Sequence, residues 1–222
     1  MGGVFITFEG VEGCGKSTQL TMLGKTLEAR GHRVLLTREP GGLPGQSPAG
    51  EAVRRILLDP ATGALDPMTE LLLFSAVRRE LVTKVIAPAL EKGMVVICDR
   101  FADSTMAYQG FGRGMDKDMI NDMNRKVCGA VWPSRTVLLD MPVELGLERA
   151  NGRMKSEGRG EARFEDEKLE FHKRVRGGFL SIAENEPQRV RAVDASRSVE
   201  DVAASVTGAV ADVLNEKRGG TK

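Results

Sequence analysis

Short apolar runs alternate along the chain with segments of helical spacing. The runs predict strands over residues 4–8, 34–37, 94–98, 136–139 and 190–193. Helices are predicted over residues 16–30, 67–85, 103–129, 143–150 and 199–214. In the first of these, Leu20, Leu23 and Leu27 share one helical face. Such alternation is typical of a parallel sheet covered by helices on both faces, so the chain is predicted to have an α/β fold.

The stretches between these elements are rich in glycine, proline or charge. Residues 40–50 carry several prolines and glycines and are predicted to form a loop. The most polar stretch is 151–168, and its composition alone favours a solvated loop over a mobile lid. No internal repeat with a period of roughly 20 to 50 residues is visible. The 222 residues are therefore expected to form one domain over 1–222.

Composition and charge exclude several classes of protein. Apolar residues make up 41% of the chain, and 32 basic residues nearly balance 31 acidic ones, so there is no sign of a basic nucleic-acid-binding face. Cys14, Cys98 and Cys128 are too scattered for a disulfide or zinc framework and fit a reducing compartment. There is no signal-peptide pattern and no long apolar stretch. We expect a cytoplasmic protein that binds neither nucleic acid nor membrane.

A glycine-rich loop follows the first predicted strand and precedes the first predicted helix. It matches the pattern Gly-x-x-x-x-Gly-Lys-Ser/Thr, in which backbone amides surround a phosphate. Lys16 would supply a point charge to the terminal phosphates, and the Ser17 hydroxyl would bind Mg²⁺. The helix that follows directs its positive end at the same phosphates. The predicted nucleotide-binding residues are Gly10, Val11, Glu12, Gly13, Cys14, Gly15, Lys16, Ser17 and Thr18.

Polar residues also follow the third predicted strand. Asp99 and Arg100 stand at its carboxyl end, where ligands gather in open α/β sheets. The carboxylate would hold Mg²⁺ or its waters, and Arg100 would bind a phosphate with two hydrogen bonds; a surface ion pair is the alternative. Ser104, Thr105 and Tyr108 share one face of the next helix. Alone, that face is more typical of a solvated helix.

Phe74 and Arg78 lie four positions apart on the predicted helix 67–85. An aromatic ring beside a guanidinium suits stacking on a base and hydrogen bonding to its edge. A core phenylalanine next to a surface arginine explains the same spacing, and on spacing alone this alternative is favoured.

Taken together, these motifs resemble the bacterial thymidylate kinases over nearly the whole chain. The resemblance rests on Phe8-Glu9-Gly10-Val11-Glu12-Gly13, on Thr37-Arg38-Glu39-Pro40-Gly41-Gly42, and on Asp99-Arg100-Phe101 with Ser104 and Ala107-Tyr108-Gln109-Gly110. It implies a P-loop NTPase fold with a five-stranded parallel sheet flanked by helices. It also implies transfer of the γ-phosphoryl group of ATP·Mg²⁺ to dTMP, giving dTDP, by a homodimer.

The resemblance further implies roles for individual residues. The acceptor nucleotide would be bound by Glu12, Arg38, Arg54, Phe74, Arg78, Arg100, Ser104, Thr105, Tyr108 and Gln109. Among these, Arg100 and Arg54 would hold the monophosphate, and Glu12 would lie near the sugar 3′-hydroxyl and the metal. Tyr108 would lie near C2′ of the sugar, and Arg149 would pack on adenine.

On the acceptor base, the resemblance implies that Phe74 stacks on thymine and that Arg78 contacts its edge. Thr105 and Gln109 would lie along the base.

Catalysis is assigned to Lys16, Arg100, Glu12 and a lid arginine. None of the variable positions 11–14 of the loop is basic, so a further cation is expected from residues 151–168. Arg163 is the first choice, because Arg163-Phe164-Glu165 keeps the family's lid pattern, and Arg153 is the second.

Two departures from the family pattern are visible. Residues 43–46 are extra, so the sequence does not determine how the chain reaches Arg54. Ala162 replaces the acidic residue expected before Arg163.

Two alternative functions stay open at this point. One is a kinase for another nucleotide or deoxynucleoside, and the other is a switch protein that hydrolyses ATP slowly.

Overall fold

The structure is a computed structural model that describes residues 2–157, 164 and 167–215, with only the backbone of residues 153–157. Within these residues five strands form one sheet: β1 (Val4–Glu9), β2 (Val34–Arg38), β3 (Val95–Asp99), β4 (Arg135–Asp140) and β5 (Val190–Asp194). The helices are α1 (Lys16–Ala29), α2 (Pro48–Leu58), α3 (Pro67–Leu81), α4 (Ala87–Glu91), α5 (Ala102–Thr105), α6 (Lys117–Cys128), α7 (Val143–Glu157), α8 (Leu169–Asn185) and α9 (Val199–Asn215).

All five strands are parallel, in the order β2-β3-β1-β4-β5. The register places Asp99 beside Phe8 of β1 on one side and beside Arg38 of β2 on the other. Because parallel strands end at the same edge, Glu9, Arg38 and Asp99 come together there. In this order β2 and β3 lie on one side of β1, whereas β4 and β5 lie on the other. The topological switch point of the sheet is therefore at β1, where the glycine-rich loop begins. The predicted α/β fold is confirmed.

Apolar side chains cover both faces of the sheet. On one face, Ile6 and Phe8 of β1 pack against Leu23 and Leu27 of α1, with Val206 and the rest of the apolar stripe of α9 completing this layer. The opposite face is covered by the second core cluster, in which residues of α3 and α4 meet β1 and β3. The central strand β1 is buried along its whole length, as expected for a parallel strand covered on both faces.

Helix α2 overturns part of the predicted loop over residues 40–50. The helix begins at Pro48, and the Ser47 side chain caps it by accepting a hydrogen bond from the Gly50 backbone N–H at 3.1 Å. A serine cap followed by proline at the first helical position is a common helix start. The many prolines and glycines before Ser47 hid this signal.

Two predicted helices contain wider turns that spacing alone did not show. The helix predicted over 67–85 continues through a π-helical turn, Val82–Ile86, into α4, which ends at Glu91. The helix predicted over 103–129 is divided into α5, a π-helical turn over Met106–Gly112, and α6. Pro88 has no N–H to donate to the turn before it, and the first π-helical turn lies directly ahead of that position.

Helix α8 was not predicted, and α7 extends to Glu157, beyond the predicted end at residue 150. The buried Phe171, Val175 and Phe179 of α8 are four positions apart, which is a helical spacing. A pair of glycines in its middle masked the pattern. A Cβ at Gly178 would lie 2.7 Å from the Phe111 ring, so close packing requires glycine there.

Candidate active site

The glycine-rich loop wraps from the end of β1 to the start of α1. Gly13 has φ 70°, and a Cβ there would lie 1.9 Å from the carbonyl oxygen of Gly146, so only glycine lets the loop lie against α7. Gly15 has φ 89° and caps α1, and no described atom lies within 4 Å of its Cβ position. Within the described residues the turn at Gly15 is therefore uncrowded, and the N-terminus of α1 favours an anion there. Ser17 and Thr18 are exposed in the same turn.

Lys16 is buried inside this loop. Its ammonium group donates hydrogen bonds to the carbonyl oxygens of Val11 at 2.9 Å and Gly10 at 3.2 Å, and it lies 3.5 Å from the Cys14 sulfur. A bound phosphate would offer this cation anionic acceptors in place of neutral carbonyls.

The Ser17 hydroxyl donates to Asp99 Oδ2 at 2.9 Å, which joins the start of α1 to the end of β3. The other carboxylate oxygen, Asp99 Oδ1, is buried and has no hydrogen-bond partner among the described residues. A hydroxyl and an unpaired carboxylate oxygen are the hard ligands that Mg²⁺ prefers. The described residues contain no group of three or more histidine, cysteine or acidic side chains that could hold a metal ion, so phosphates and water would supply the remaining ligands. The residues present fit Mg²⁺.

Arg100 has a left-handed backbone, with φ 67°, which is uncommon for a non-glycine residue. Its guanidinium donates to Gly10 O at 3.1 Å, to the Ser104 hydroxyl at 3.2 Å and to Glu12 Oε1 at 3.2 Å. It also lies 5.0 Å from the centre of the Tyr108 ring. Asp99 and Arg100 have different partners, so the alternative of a simple ion pair between them is wrong.

Glu12 is a buried carboxylate beside this cation. Its Oε1 accepts hydrogen bonds from Arg100 and from the Tyr108 hydroxyl. Burial alone would raise the pKa of Glu12, but the nearby His172 ring, the charges of Arg100 and Lys16 and the Tyr108 hydroxyl lower the pKa to about 2. The group is therefore a carboxylate at neutral pH.

Glu9 is a buried residue of the site whose contacts the sequence analysis missed. Its Oε1 accepts from the Phe101 backbone N–H at 2.7 Å, and its Oε2 accepts from the Ser104 hydroxyl at 2.5 Å. Burial and the charge of Asp103 raise the pKa of Glu9 to about 8. The sequence offered one sign of this role, namely that Glu9 is a charged residue at the end of an otherwise apolar strand. Glu9 fixes the Arg100-Phe101 turn against β1.

Arg78 lies deep in the protein, with 1% of its surface exposed, so the alternative of a surface arginine is wrong. Its guanidinium donates to Glu39 at 2.8 Å, to Asn124 at 2.7 Å and to the Thr105 hydroxyl at 2.6 Å. These bonds join the loop after β2 to α3, α5 and α6. Phe74 on the same helix is half-buried, and its base-stacking role stays a prediction.

The polar face after Arg100 is also buried, so the alternative of a solvated helix is wrong. Thr105, Tyr108 and Gln109 are all inaccessible to solvent or nearly so. Gln109 donates to Glu70 at 2.8 Å, and the Tyr108 ring packs edge-on against Phe164, with 5.5 Å between ring centres. This face lines the interior of the site.

Arg113, which was not predicted, joins that face to residues near the polar segment. It donates to Glu70 at 3.2 Å and to Glu167 at 2.5 Å, and it lies 4.8 Å from the centre of the Phe171 ring. Phe164 packs between Tyr108 and Phe74, 6.1 Å from the latter.

The extra residues 43–46 form a turn in the loop after β2, and Arg54 lies beside that loop. The Gln46 side chain donates to Leu36 O at 2.9 Å and accepts from the Thr37 hydroxyl at 2.7 Å. Arg54 donates to Pro40 O at 2.9 Å, and Arg38 donates to Gly42 O at 3.1 Å. Both arginines therefore lie by the loop after β2.

The remaining predicted site residues are Arg149 and the two candidate lid arginines, Arg153 and Arg163. Arg149 is exposed on α7, and its guanidinium lies 3.4 Å from Ala195 O in a hydrogen bond. Arg163 and the side chain of Arg153 lie outside the described residues, so the assignment of a lid arginine stays a prediction.

None of the described helices is both long and apolar enough to cross a membrane.

Fold and site define the class of protein. The parallel sheet has the strand order of a P-loop nucleotide kinase. Lys16 lies inside the glycine-rich loop after the central strand, and Arg100 lies opposite it, as in that class of enzyme. The family model for thymidylate kinase matches residues 8–206. The chain belongs to the thymidylate kinase family, which are ATP-dependent enzymes that phosphorylate dTMP to dTDP.

Individual relatives agree over most of the chain. It is 52% identical to the thymidylate kinase of Geobacter sulfurreducens over 213 residues, which cover 96% of each chain. It is 50% identical to the thymidylate kinase of Trichlorobacter lovleyi, over 93% of this chain and 96% of the relative. The crystal structure of thymidylate kinase from Ehrlichia chaffeensis matches with a TM-score of 0.71 and 36% identity, over 94% of this chain and 98% of that one.

Proposed function

We propose that this chain transfers the γ-phosphoryl group of ATP to the phosphate of dTMP, giving dTDP and ADP, with ATP on the glycine-rich loop and dTMP beside Arg100. One observation supports this most directly. The carbonyl oxygen of Gly10 accepts hydrogen bonds from both Lys16, at 3.2 Å, and Arg100, at 3.1 Å. A cation of the ATP side and a cation of the acceptor side thus meet at one atom, where two phosphates would have to approach each other.

The transfer needs no strong general base. An oxygen of the dTMP phosphate is already anionic near neutral pH, and it forms the new bond to the γ-phosphorus while the bond to the β-phosphate oxygen breaks. Catalysis then consists of positioning and of neutralising charge on the phosphates. Lys16 stabilises the γ-phosphoryl group, and Arg100 holds the acceptor phosphate, with Arg54 and Arg38 beside it. Mg²⁺ bound by Ser17 and Asp99 would add positive charge at the β- and γ-phosphates.

The sugar of dTMP would lie between Glu12 and Tyr108. Glu12 is ionised and would accept a hydrogen bond from the sugar 3′-hydroxyl, while its buried Oε2 has no hydrogen-bond partner among the described residues. The Tyr108 ring would lie under C2′ and leave no room for a ribose hydroxyl.

The thymine base would stack on Phe74. Arg78, Thr105 and Gln109 would lie along its edge. All three are buried, Arg78 donates to Thr105 and Gln109 donates to Glu70, so they would give the base a rigid polar wall.

The polar segment 151–168 would close over ATP and exclude water. Arg163 would bring a further cation to the transferring group, with Arg153 as the second candidate, and Arg149 would pack on adenine. Support comes from the anchoring of Phe164 and Glu167 near Tyr108 and Arg113, which brings this part of the chain to the acceptor side.

A homodimer is the proposed assembly. Exposed apolar side chains stand on two helices that pack against each other, with Ile56 of α2 exposed by 46% and Leu72 of α3 by 51%, together with Met68. A second copy that buries these side chains removes apolar surface from water.

A coupled assay of ADP release tests the activity. Release should be fast with dTMP and slower with dUMP, dCMP, dGMP, AMP and UMP. A rate that is equally slow with and without dTMP would favour a nucleotide-hydrolysing switch. If another monophosphate is the best acceptor, the assignment of dTMP as the preferred substrate is wrong while the kinase class stands.

A further inference from the structure

His172 is a fully buried side chain of α8 with no role in the steps above. Its Nδ1 lies 3.3 Å from Glu12 Oε2. Neither ring nitrogen has a hydrogen-bond partner among the described residues, and neither does Glu12 Oε2. Two unpaired polar groups thus face each other inside the protein. Leaving both unpaired would be costly, so the contact is expected to be a hydrogen bond.

The position of His172 is set by rigid packing. Arg176, one turn further along α8, donates two hydrogen bonds of 2.8 Å to Asp140 at the end of β4. On the other side, a Cβ at Gly112 would lie 2.7 Å from the Phe171 ring, so α8 lies directly against the π-helical turn that carries Tyr108. Helix α8 is thus held on both sides, and from it the His172 ring directs Nδ1 at Glu12.

The two oxygens of Glu12 have different surroundings. Oε1 accepts from Arg100 at 3.2 Å and from the Tyr108 hydroxyl, and Oε2 faces His172. A carboxylate oxygen accepts two hydrogen bonds, so the buried Oε2 has the capacity to accept one from His172. Arg100 and Tyr108 locate one end of the carboxylate, and a donor at Oε2 determines its plane.

We propose that His172 is a positioning residue that donates its Nδ1–H to Glu12 Oε2 and so orients Glu12 toward the sugar 3′-hydroxyl of the acceptor. This inference rests on the proposed function of Glu12. His172 acts on the acceptor through Glu12 and does not touch the phosphates. Its effect therefore belongs to the binding of dTMP and to the recognition of the 3′-hydroxyl.

Kinetics with two substitutions test the proposal. His172→Phe fills the space but removes the donor, and we expect the KM for dTMP to rise by roughly three- to tenfold while the KM for ATP stays unchanged. The preference for dTMP over 2′,3′-dideoxythymidine monophosphate should fall by a similar factor. His172→Asn places an amide N–H near the former Nδ1 and should restore part of both effects. Unchanged values for His172→Phe would overturn the proposal, as would equal losses with both substrates.

Nuclear magnetic resonance tests the hydrogen bond without altering the site. The chain has two histidines, so His32→Gln leaves His172 as the single source of imidazole signals. A long-range ¹H–¹⁵N correlation spectrum should show Nδ1 protonated. A neutral ring protonated only at Nε2 would overturn the proposal, because Nδ1 would have no hydrogen to donate. This measurement remains informative even if the His172 variants fail to fold.

A Glu12→Gln arm separates this inference from the proposed function. If Glu12→Gln leaves the preference for the 3′-hydroxyl unchanged, the role of Glu12 fails, and the inference fails with it. If Glu12→Gln lowers that preference and His172→Phe does not, the inference alone is overturned. Circular dichroism of each variant shows whether the fold is intact.

Discussion

The carbonyl oxygen of Gly10 accepts from two cations, and Lys16 is the one that the glycine-rich loop surrounds. Charge at this point stabilises the transferring phosphoryl group more than the ground state. We therefore expect Lys16→Ala to lower kcat by roughly 10²-fold or more, with an unchanged circular dichroism spectrum. Lys25→Ala, an exposed change on the same helix, is the control and should be neutral. Near-normal turnover of Lys16→Ala would remove the loop from the chemistry.

Tyr108 combines a ring with a hydroxyl, and the two parts have separable roles. The ring packs against Phe164 and Arg100, whereas the hydroxyl donates to Glu12. Tyr108→Ala removes the wall under C2′ and should narrow the gap in kcat/KM between dTMP and 5-methyluridine monophosphate. The change is expected to be about a hundredfold at most, the limit for an apolar wall that rejects a hydroxyl.

Tyr108→Phe is the matched control, because it keeps the ring and should keep most of that gap. An unchanged ratio in Tyr108→Ala would show that the ring does not contact the sugar.

At the scale of elements, the site depends on where α3, α8 and the π-helical turn before Arg113 meet. Arg113 binds Glu70 of α3 and Glu167, and its guanidinium stacks on Phe171 of α8. These contacts hold the end of the polar segment against the acceptor side. They support an active arginine within residues 151–168.

Arg163→Ala is expected to lower kcat by roughly 10³-fold or less, with a smaller change in the KM for dTMP. The value lies at the low end for such arginines, because neighbouring cations of the segment partly compensate. Arg163→Lys should recover part of the rate, since a point charge lacks the planar fork of a guanidinium. Steady-state kinetics of these variants and of Arg153→Ala provide the measurement.

Loss of activity in Arg153→Ala alone would transfer the role to Arg153. If neither substitution changes kcat, residues 151–168 are a solvated loop without a catalytic part.

Elements differ in how clearly local sequence predicts them. The strands were predictable because parallel strands buried on both faces form short continuous apolar runs. Helix α8 was missed although Phe171, Val175 and Phe179 keep helical spacing, because Gly177 and Gly178 interrupt the propensity signal. Gly178 is required by close packing against the ring of Phe111, a residue far away in the chain.

At the scale of the whole molecule, buried acids link stability to pH. The pKa of Glu9 is raised to about 8 by burial and by Asp103, whereas the unfolded chain has a value near 4.5. Between these values the folded protein keeps a proton that the unfolded chain has lost, so the free energy of unfolding should fall as pH rises. Urea unfolding at about pH 5 and about pH 8 measures this dependence.

Glu9→Gln cannot ionise and should show a smaller decrease over the same range. A decrease equal to that of the unchanged protein would assign the pH dependence to other groups, of which Glu39, with its pKa raised to about 7 by burial, is the first candidate.

Assembly is the second property at this scale. Leu72→Asp places a charge in the exposed apolar surface of α2 and α3, and we expect it to convert a dimer into a monomer in light scattering after size exclusion. Val199→Asp alters an equally exposed apolar residue of α9 and should leave the mass unchanged. A monomeric unchanged protein would exclude the proposed homodimer.

The sequence by itself determined the α/β class, the glycine-rich loop and the family. Each of these depends on residues close together in the chain or on motifs that occur in a fixed order. Only the tertiary structure decided that Glu9 holds the Arg100-Phe101 turn and that Arg78 is buried. It also decided that Glu12 lies among Arg100, Tyr108 and His172. The Glu9–Ser104 and Glu12–Tyr108 contacts join residues 95 and 96 positions apart. Such contacts arise where separate strands and helices meet at one edge of the sheet, and local periodicity does not specify which distant side chains share that space.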